Sequence, residues 1–286
     1  MTSTIESYAI DELTTRALCN HFGLLHPPFQ KCIRPEYIFP ASQFGNACAR
    51  LQQLLATREI GVVVGESGTG KSTLLNLLLT QVSVSRYRII DLATPQSKPR
   101  ELYRAIATAL GANPSWFGAD SLKIIDLLTH SYLESNRPNL LVIDEAQLLS
   151  PAGLNELRLL SNVQVKYEPL VSVILFGQPQ LAATLKLPAM TPLVQRIAVW
   201  VTLDGLSPQE TCAYIDHQLK TAGAQDLEKI FPAAVKHAIH RRAHGVPRQI
   251  NRIAWESLNQ ACLDGAHTIG EDLLQEVLKT LAPHLT

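Results

Sequence analysis

Residues Gly65-Glu66-Ser67-Gly68-Thr69-Gly70-Lys71-Ser72 fit the spacing G-x-x-x-x-G-K-[ST]. Glycines at these positions let successive backbone N–H groups turn inward and form a nest for an anion. A helix starting at the Lys-Ser pair would add its positive N-terminus beneath phosphate groups. In such a loop Lys71 reaches the β- and γ-phosphates, the Ser72 hydroxyl ligates Mg²⁺, and Glu66, Ser67, Thr69 and Thr73 complete the cradle. A glycine-rich turn of purely structural use is the alternative, and it leaves the Lys-Ser pair at the helix start without a reason. Further along, the apolar run Leu140–Glu145, LLVIDE, ends in two carboxylates. Asp144 at the end of a buried strand can hold the magnesium, usually through water. Glu145 then stands where the ligand crevice opens and can orient or deprotonate an attacking water. By itself an acidic pair at a strand end reads as a solvated loop start. With a phosphate loop upstream it reads as the hydrolytic half of an ATPase.

Positioning both halves requires strands that end at one edge of a sheet. Strand-like runs occur at IGVVVG (60–65), YRIIDL (87–92), NLLVIDEAQLL (139–149), LVSVILFG (170–177) and IAVWVTL (197–203). Helical patterns separate them at 42–57, in RELYRAIATALG, in DSLKIIDLLTHSYLES and at about 151–163. Apolar strands alternating with helices of this length predict an α/β fold, a five-stranded parallel sheet covered on both faces. After Leu203 the pattern changes to four helical segments that open on capping residues, Pro or Gly. Before the core, FGLLHPPFQKCIRPEYIFP is rich in X-Pro steps and predicts an extended strap. The expected division is an N-terminal extension at 1–41, an α/β nucleotide-binding core at 42–203 and a helical domain at 204–286.

The chain has 286 residues, is 46% hydrophobic and carries 25 basic against 25 acidic side chains. No global charge draws it to nucleic acid or membrane, so any DNA-binding surface must be a local patch. Its five cysteines lack C-x-x-C or zinc-finger spacing and read as reduced structural thiols. No apolar run has the length of a membrane span, and residues 1–20 are too acidic for a signal peptide. A cytoplasmic protein with no membrane partner is expected.

The sequence resembles the AAA+ superfamily, and within it the ExeA/GspA-type ATPases and their transposition relatives of the TnsC, TniB and MuB type. FGLLHPPF (22–29), GESGTGKST (65–73), VIDEAQLL (142–149), FGQPQL (176–181) and GVPRQINRI (245–253) carry the likeness. The resemblance implies a P-loop AAA+ core with the C-terminal helices as its lid, and ATP with Mg²⁺ as cofactors. It implies that Gln178 is sensor 1, reaching the γ-phosphate or its water; an amide capping the turn before Pro179 is the alternative. It makes Arg248 sensor 2, a lid arginine on the nucleotide. It makes Arg196 the arginine presented to a neighbouring subunit's ATP, where a surface arginine before an edge strand is the plainer reading. If Arg196 is that finger, activity requires a ring or helical homo-oligomer. Tyr37 and Ile38 of the strap become adenine contacts on the same grounds.

In the transposition relatives, the region holding Lys98, Arg100, Arg104 and, on the next helix, Lys123 faces DNA. A second basic segment holds Lys236, Arg241, Arg242, Arg248 and Arg252 without an acid. A solvated helix face is the competing reading of each segment. No recognition helix or zinc finger occurs, so sequence-specific reading is not expected. The resemblance therefore implies a regulator of DNA transposition. It would assemble on double-stranded DNA with ATP, recruit or activate a transposase, with a target-selection adaptor as further partner, and disassemble upon hydrolysis. The alternative is an ExeA/GspA-like ATPase energising assembly of a secretion machine. Members of that type continue into a membrane span and a wall-binding domain, so the end of this chain at Thr286 favours the cytosolic reading. A non-enzymatic nucleotide switch is the third possibility, and Glu145 speaks against it.

Overall fold

The structure, a computed structural model, describes residues 15–30, 37–93, 95, 98–112 and 121–282. Their backbone divides into two compact units, Ser42–Leu203 and the remainder, in which the N-terminal segment accompanies the residues from Asp204 onward.

Residues 15–22 are helical (α1). The first unit then runs α2 (Ser42–Thr57), β1 (Ile60–Gly65), α3 (Lys71–Gln81), β2 (Arg88–Leu92), α4 (Pro99–Ala109), α5 (Ser121–Ser135) and β3 (Asn139–Ile143). It continues through α6 (Pro151–Leu160), the two-residue strands β4 (Gln164–Val165) and β5 (Glu168–Pro169), β6 (Val171–Gly177), α7 (Pro179–Leu185), α8 (Thr191–Val194) and β7 (Ile197–Leu203). The five long strands form a sheet in the order β2-β3-β6-β1-β7, every pairing parallel. Burial follows the position in that order. The three inner strands are buried along their whole length, as expected of strands covered on both faces. The edge strands β2 and β7 keep partly exposed positions.

One face is covered by α2 and α3 and the other by α4, α5 and α6. Ile90, Leu102, Ile106, Ile124, Leu141 and Leu157 are among the fully buried side chains of the second layer. Helix α4 begins with Pro99 in its first turn, a position where the missing N–H costs nothing. Helix α6 is capped by Ser150, whose side chain accepts from Gly153 N. Sequence periodicity places all five long strands. It misses the β4–β5 hairpin and the short helices after β6, whose few residues carry too little pattern to register.

The second unit comprises α9 (Pro208–Thr221), α10 (Leu227–Ile230), α11 (Ala233–Ala243), α12 (Pro247–Leu263) and α13 (Glu271–Leu281). Ser207 and Glu210 form a reciprocal capping box at the start of α9. The stretch of the N-terminal segment that is described does not lie loose. Leu18, Leu24 and Phe29 are buried in one core with Phe231, Ile239, Ile253 and Leu258. The rings of Phe29 and Phe231 meet edge to face at 6.3 Å. Among the described residues no helix is long and apolar enough to cross a membrane. Cys19, Cys48, Cys212 and Cys262 are free thiols, and Cys32 lies outside the described residues.

Candidate nucleotide site

The parallel sheet brings the C-terminal ends of β1, β6 and β3 side by side, with β6 in the middle. The loop 65–72 leaves β1, Gln178 follows β6, and Asp144 with Glu145 follows β3. Three segments far apart in sequence thus meet at one edge, where open α/β sheets carry their ligands.

The loop is built mainly by backbone. Gly68 and Gly70 have φ of 88° and 102°, the left-handed region that turns N–H groups toward the concave side. At Gly70 a side chain is excluded twice over, because a Cβ there would also lie 2.6 Å from Phe44 Cζ of α2. Thr69 Oγ1 donates to Glu66 O at 2.9 Å and closes the turn. Lys71 is only 7% exposed, and its Nζ donates to Gly65 O at 2.8 Å and Glu66 O at 2.9 Å. A nearly buried ammonium, a left-handed glycine backbone and the start of α3 come together within the eight residues of the loop. That donor set suits a polyphosphate. Ser72 is exposed in the first turn of α3, and Thr73 is half-buried beside it.

Asp144 is half-buried. Burial pushes its carboxyl upward from the ordinary value. The Glu145 N–H, donating to Oδ1 at 2.9 Å, pulls it back, the Glu145 charge pushes it up, Lys71 pulls it down and Asp91 adds a further push. Asp91 on β2, itself raised by burial, belongs to this acidic neighbourhood and was not anticipated from sequence. Ser72 and Asp144 offer the oxygen ligands that Mg²⁺ prefers, and two protein groups suffice for an ion that keeps several waters and takes phosphate oxygens. Among the described residues no cluster of three or more His, Cys, Asp or Glu could hold a metal ion.

Glu145 sits at φ 51°, a left-handed conformation that a non-glycine residue adopts at a cost of about 1–2 kcal/mol. Its carboxylate is held from two sides. Gln147 Nε2 donates to Glu145 Oε2 at 2.5 Å, and Gln178 Nε2 donates to the same oxygen at 3.1 Å. Gln178 is the N-cap residue of α7, yet its side chain makes no cap bond there. The turn-capping alternative is therefore not what this amide does. Sequence spacing gives Gln147 no role of its own; a polar residue two positions after the acidic pair is the signal it carries.

The remaining sequence-derived residues lie elsewhere. Arg196 immediately precedes β7 and is exposed; its strand pairs Ile197 with Ile60 and Leu203 with Gly65. It therefore stands at the opposite end of the sheet from the loop of its own chain. Lys98, Arg100, Arg104 and Lys123 are all exposed, on α4 and α5, which pack against each other. In the helical unit Arg248 is exposed in the first turn of α12. Tyr37 stacks on His26 with ring centroids 5.4 Å apart and accepts from His217 through its carbonyl, and Ile38 is half-buried. Lys236 corrects the reading of the second basic segment as a solvated face. It is 4% exposed and ion-paired to Asp216 at 2.7 Å and Glu228 at 2.9 Å, so its charge is already matched within the fold.

A parallel sheet with a glycine-rich phosphate loop after β1 and an acidic pair after β3 defines a P-loop nucleotide site of AAA+ architecture. Residues 54–185 match the AAA domain family, so the chain carries an AAA domain. It is homologous to General secretion pathway protein A of Aeromonas hydrophila, 34% identical over 254 residues that cover 87% of this chain and 45% of that protein. It is also 24% identical over 258 residues to an uncharacterized HTH-type transcriptional regulator of Methanocaldococcus jannaschii, covering 77% of this chain and 62% of that one. The chain thus spans only about half to three fifths of these relatives. Among solved structures, the ORC2 protein of Aeropyrum pernix, in its ADPNP-ADP complexes, has the same fold. Its TM-score is 0.63 at 16% identity, over 88% of this chain and 70% of that one.

Proposed function

We propose that the protein is a Mg²⁺-dependent ATPase that energises assembly of a secretion machine from its cytoplasmic side. The kinship to General secretion pathway protein A carries this reading. It extends over more residues than the nucleotide unit contains, so the likeness is not that of a phosphate loop alone. In the proposed cycle the loop from Gly65 to Thr73 holds the phosphates and Lys71 exchanges its two carbonyl contacts for phosphate oxygens. Ser72 and Asp144 hold the metal, which shields the charge on those oxygens. Glu145 takes a proton from the attacking water, Gln178 reports on the terminal phosphate, and Arg248 carries that report to the helical unit. Arg196, at the far end of the sheet from its own loop, is offered to the nucleotide of a second copy, so turnover requires self-assembly.

Four exposed cations on two packed helices, Lys98, Arg100, Arg104 and Lys123, keep a second reading in view. A local patch of this kind suits the phosphate backbone of double-stranded DNA, as in a transposition regulator that meets a transposase and a target-selection adaptor. The end of the chain does not weigh between the two readings, because the relative extends well beyond the matched region. One variant separates them. Glu145→Gln should bind ATP, fail to turn it over and accumulate as an ATP-bound assembly. Cells carrying it in place of the wild type should retain their secreted proteins. Normal secretion together with a collapse in transposition frequency would overturn the secretion reading in favour of the DNA one.

A further inference from the structure

The two glutamines that flank Glu145 form a closed circuit. Gln147 donates from Nε2 to Glu145 Oε2 and accepts through Oε1 from the backbone N–H of Gln178 at 3.0 Å. Gln178 completes the ring by donating from its own side chain to Glu145 Oε2. The Gln147 amide, donating from one atom and accepting at the other, satisfies both of its neighbours in this orientation. Turned over, it would set N–H against N–H on one side and carbonyl against carboxylate on the other. The space for it is reserved by Gly177, the last residue of β6, where a Cβ would come within 3.2 Å of Gln147 Oε1 and 2.7 Å of Leu181 Cδ2. Glu145 itself needs outside support, because it holds a left-handed backbone conformation that its own side chain disfavours.

We infer that Gln147 is a positioning residue that ties the water-activating carboxylate of Glu145 to the end of β6. Its chemistry is that of a two-way clamp: one hydrogen bond fixes the carboxylate and the other fixes the clamp to a rigid inner strand. A movement of the Gln178 backbone, whether caused by nucleotide or by a partner, thereby shifts Glu145 directly. The side-chain bond from Gln178 makes the coupling two-stranded. When the Gln178 amide turns toward another acceptor, Gln147 alone retains the carboxylate. The inference rests on the hydrolase reading of Glu145, and part of its test is independent of turnover.

Gln147→Met keeps the volume and removes both polar contacts; Gln147→Glu keeps the shape and sets a second carboxylate against Glu145. Displacing a reacting group by about 1 Å costs on the order of a hundredfold in rate. Both variants should therefore lower kcat about ten- to a hundredfold, Gln147→Glu the more, with nucleotide affinity within about twofold of wild type. A merely structural residue would move affinity and stability together with rate. In NMR spectra of glutamine-labelled protein without nucleotide, the Gln147 amide protons should be protected from exchange, and Glu145→Ala should abolish that protection. Unchanged kcat in Gln147→Met, or amide protons that exchange freely in the wild type, would overturn the inference. A wild-type protein that shows protected amide protons but no hydrolysis would instead overturn the hydrolase reading and leave the clamp standing.

Discussion

The two ends of the central sheet are built on opposite principles. At the C-terminal ends of the strands, a glycine-rich backbone, a buried lysine and a clamped carboxylate are held by bonds within the same unit. At the N-terminal ends lies an open polar groove of about 580 Å³, lined by Arg58, Glu59, Gln164, Gln195 and Arg196 among others. The six residues of β1 separate the two by about 20 Å at 3.3 Å per residue. The first end is preorganised for a ligand that arrives from solution. The second presents a charged side chain outward, at a place from which it cannot reach its own loop. Under the proposed mechanism, a site divided in this way would be completed only when one copy's far end meets another copy's near end.

The largest effect on nucleotide binding should come from emptying the near end. Lys71→Ala removes the ammonium that the loop holds almost buried, and with it charge-assisted bonds to phosphate. About 3 kcal/mol of binding should be lost, a weakening of about a hundredfold, measurable by titration with a fluorescent ATP analogue. Binding retained at wild-type strength would mean that the glycine backbone and the start of α3 carry the phosphates by themselves.

The near end was also the more legible of the two. Phosphate binding by backbone demands Gly at fixed spacing and Lys-Ser at the helix start, so the physical requirement is written in consecutive residues, 65 to 72. The five strands were legible for a similar reason: burial on both faces demands unbroken apolar runs. The clamp on Glu145 was not, because it joins residues 145, 147 and 178, and only the strand order β3-β6 makes the last a neighbour of the first two. Nor could sequence alone tell that Lys236 lies buried between Asp216 and Glu228, since α9, α10 and α11 bring that triad together only when they pack. Local chemistry is readable from spacing; chemistry that depends on which elements become neighbours is not.

An effect on hydrolysis alone should separate the two ends in one experiment. Arg196→Ala should leave nucleotide affinity within about twofold while hydrolysis falls about a thousandfold, the scale at which an arginine stabilises a transferring phosphoryl group. The loss should be visible only above the protein concentration at which the wild type gains activity. Mixing then sharpens the comparison. A Lys71→Ala subunit keeps its far end intact and an Arg196→Ala subunit keeps its near end, so the two inactive variants combined should recover part of the wild-type rate. Failure to recover, with both variants folded and mixed assemblies present, would place Arg196 outside the site of any copy.

The smallest effect should come from Arg58, the other arginine of the groove. Its Nη1 donates to Glu168 Oε2 at 3.0 Å and to Pro169 O at 2.8 Å, and its guanidinium lies 6.0 Å from the Tyr132 ring. The carboxylate is largely exposed, at 59%, so the ion pair itself contributes little and is screened further by salt. The carbonyl bond and the aromatic contact add about 1 kcal/mol together. Arg58→Ala should therefore shift the denaturant midpoint only slightly. Arg58→Gly should shift it less still, because the residue sits at φ 57° and glycine adopts that backbone without strain. Neither variant should alter ATP turnover, since Arg58 is committed to the β4–β5 hairpin of its own chain rather than offered outward. A fall in turnover as deep as that of Arg196→Ala would show that the hairpin, and not Arg196 alone, is what the far end presents to a second copy.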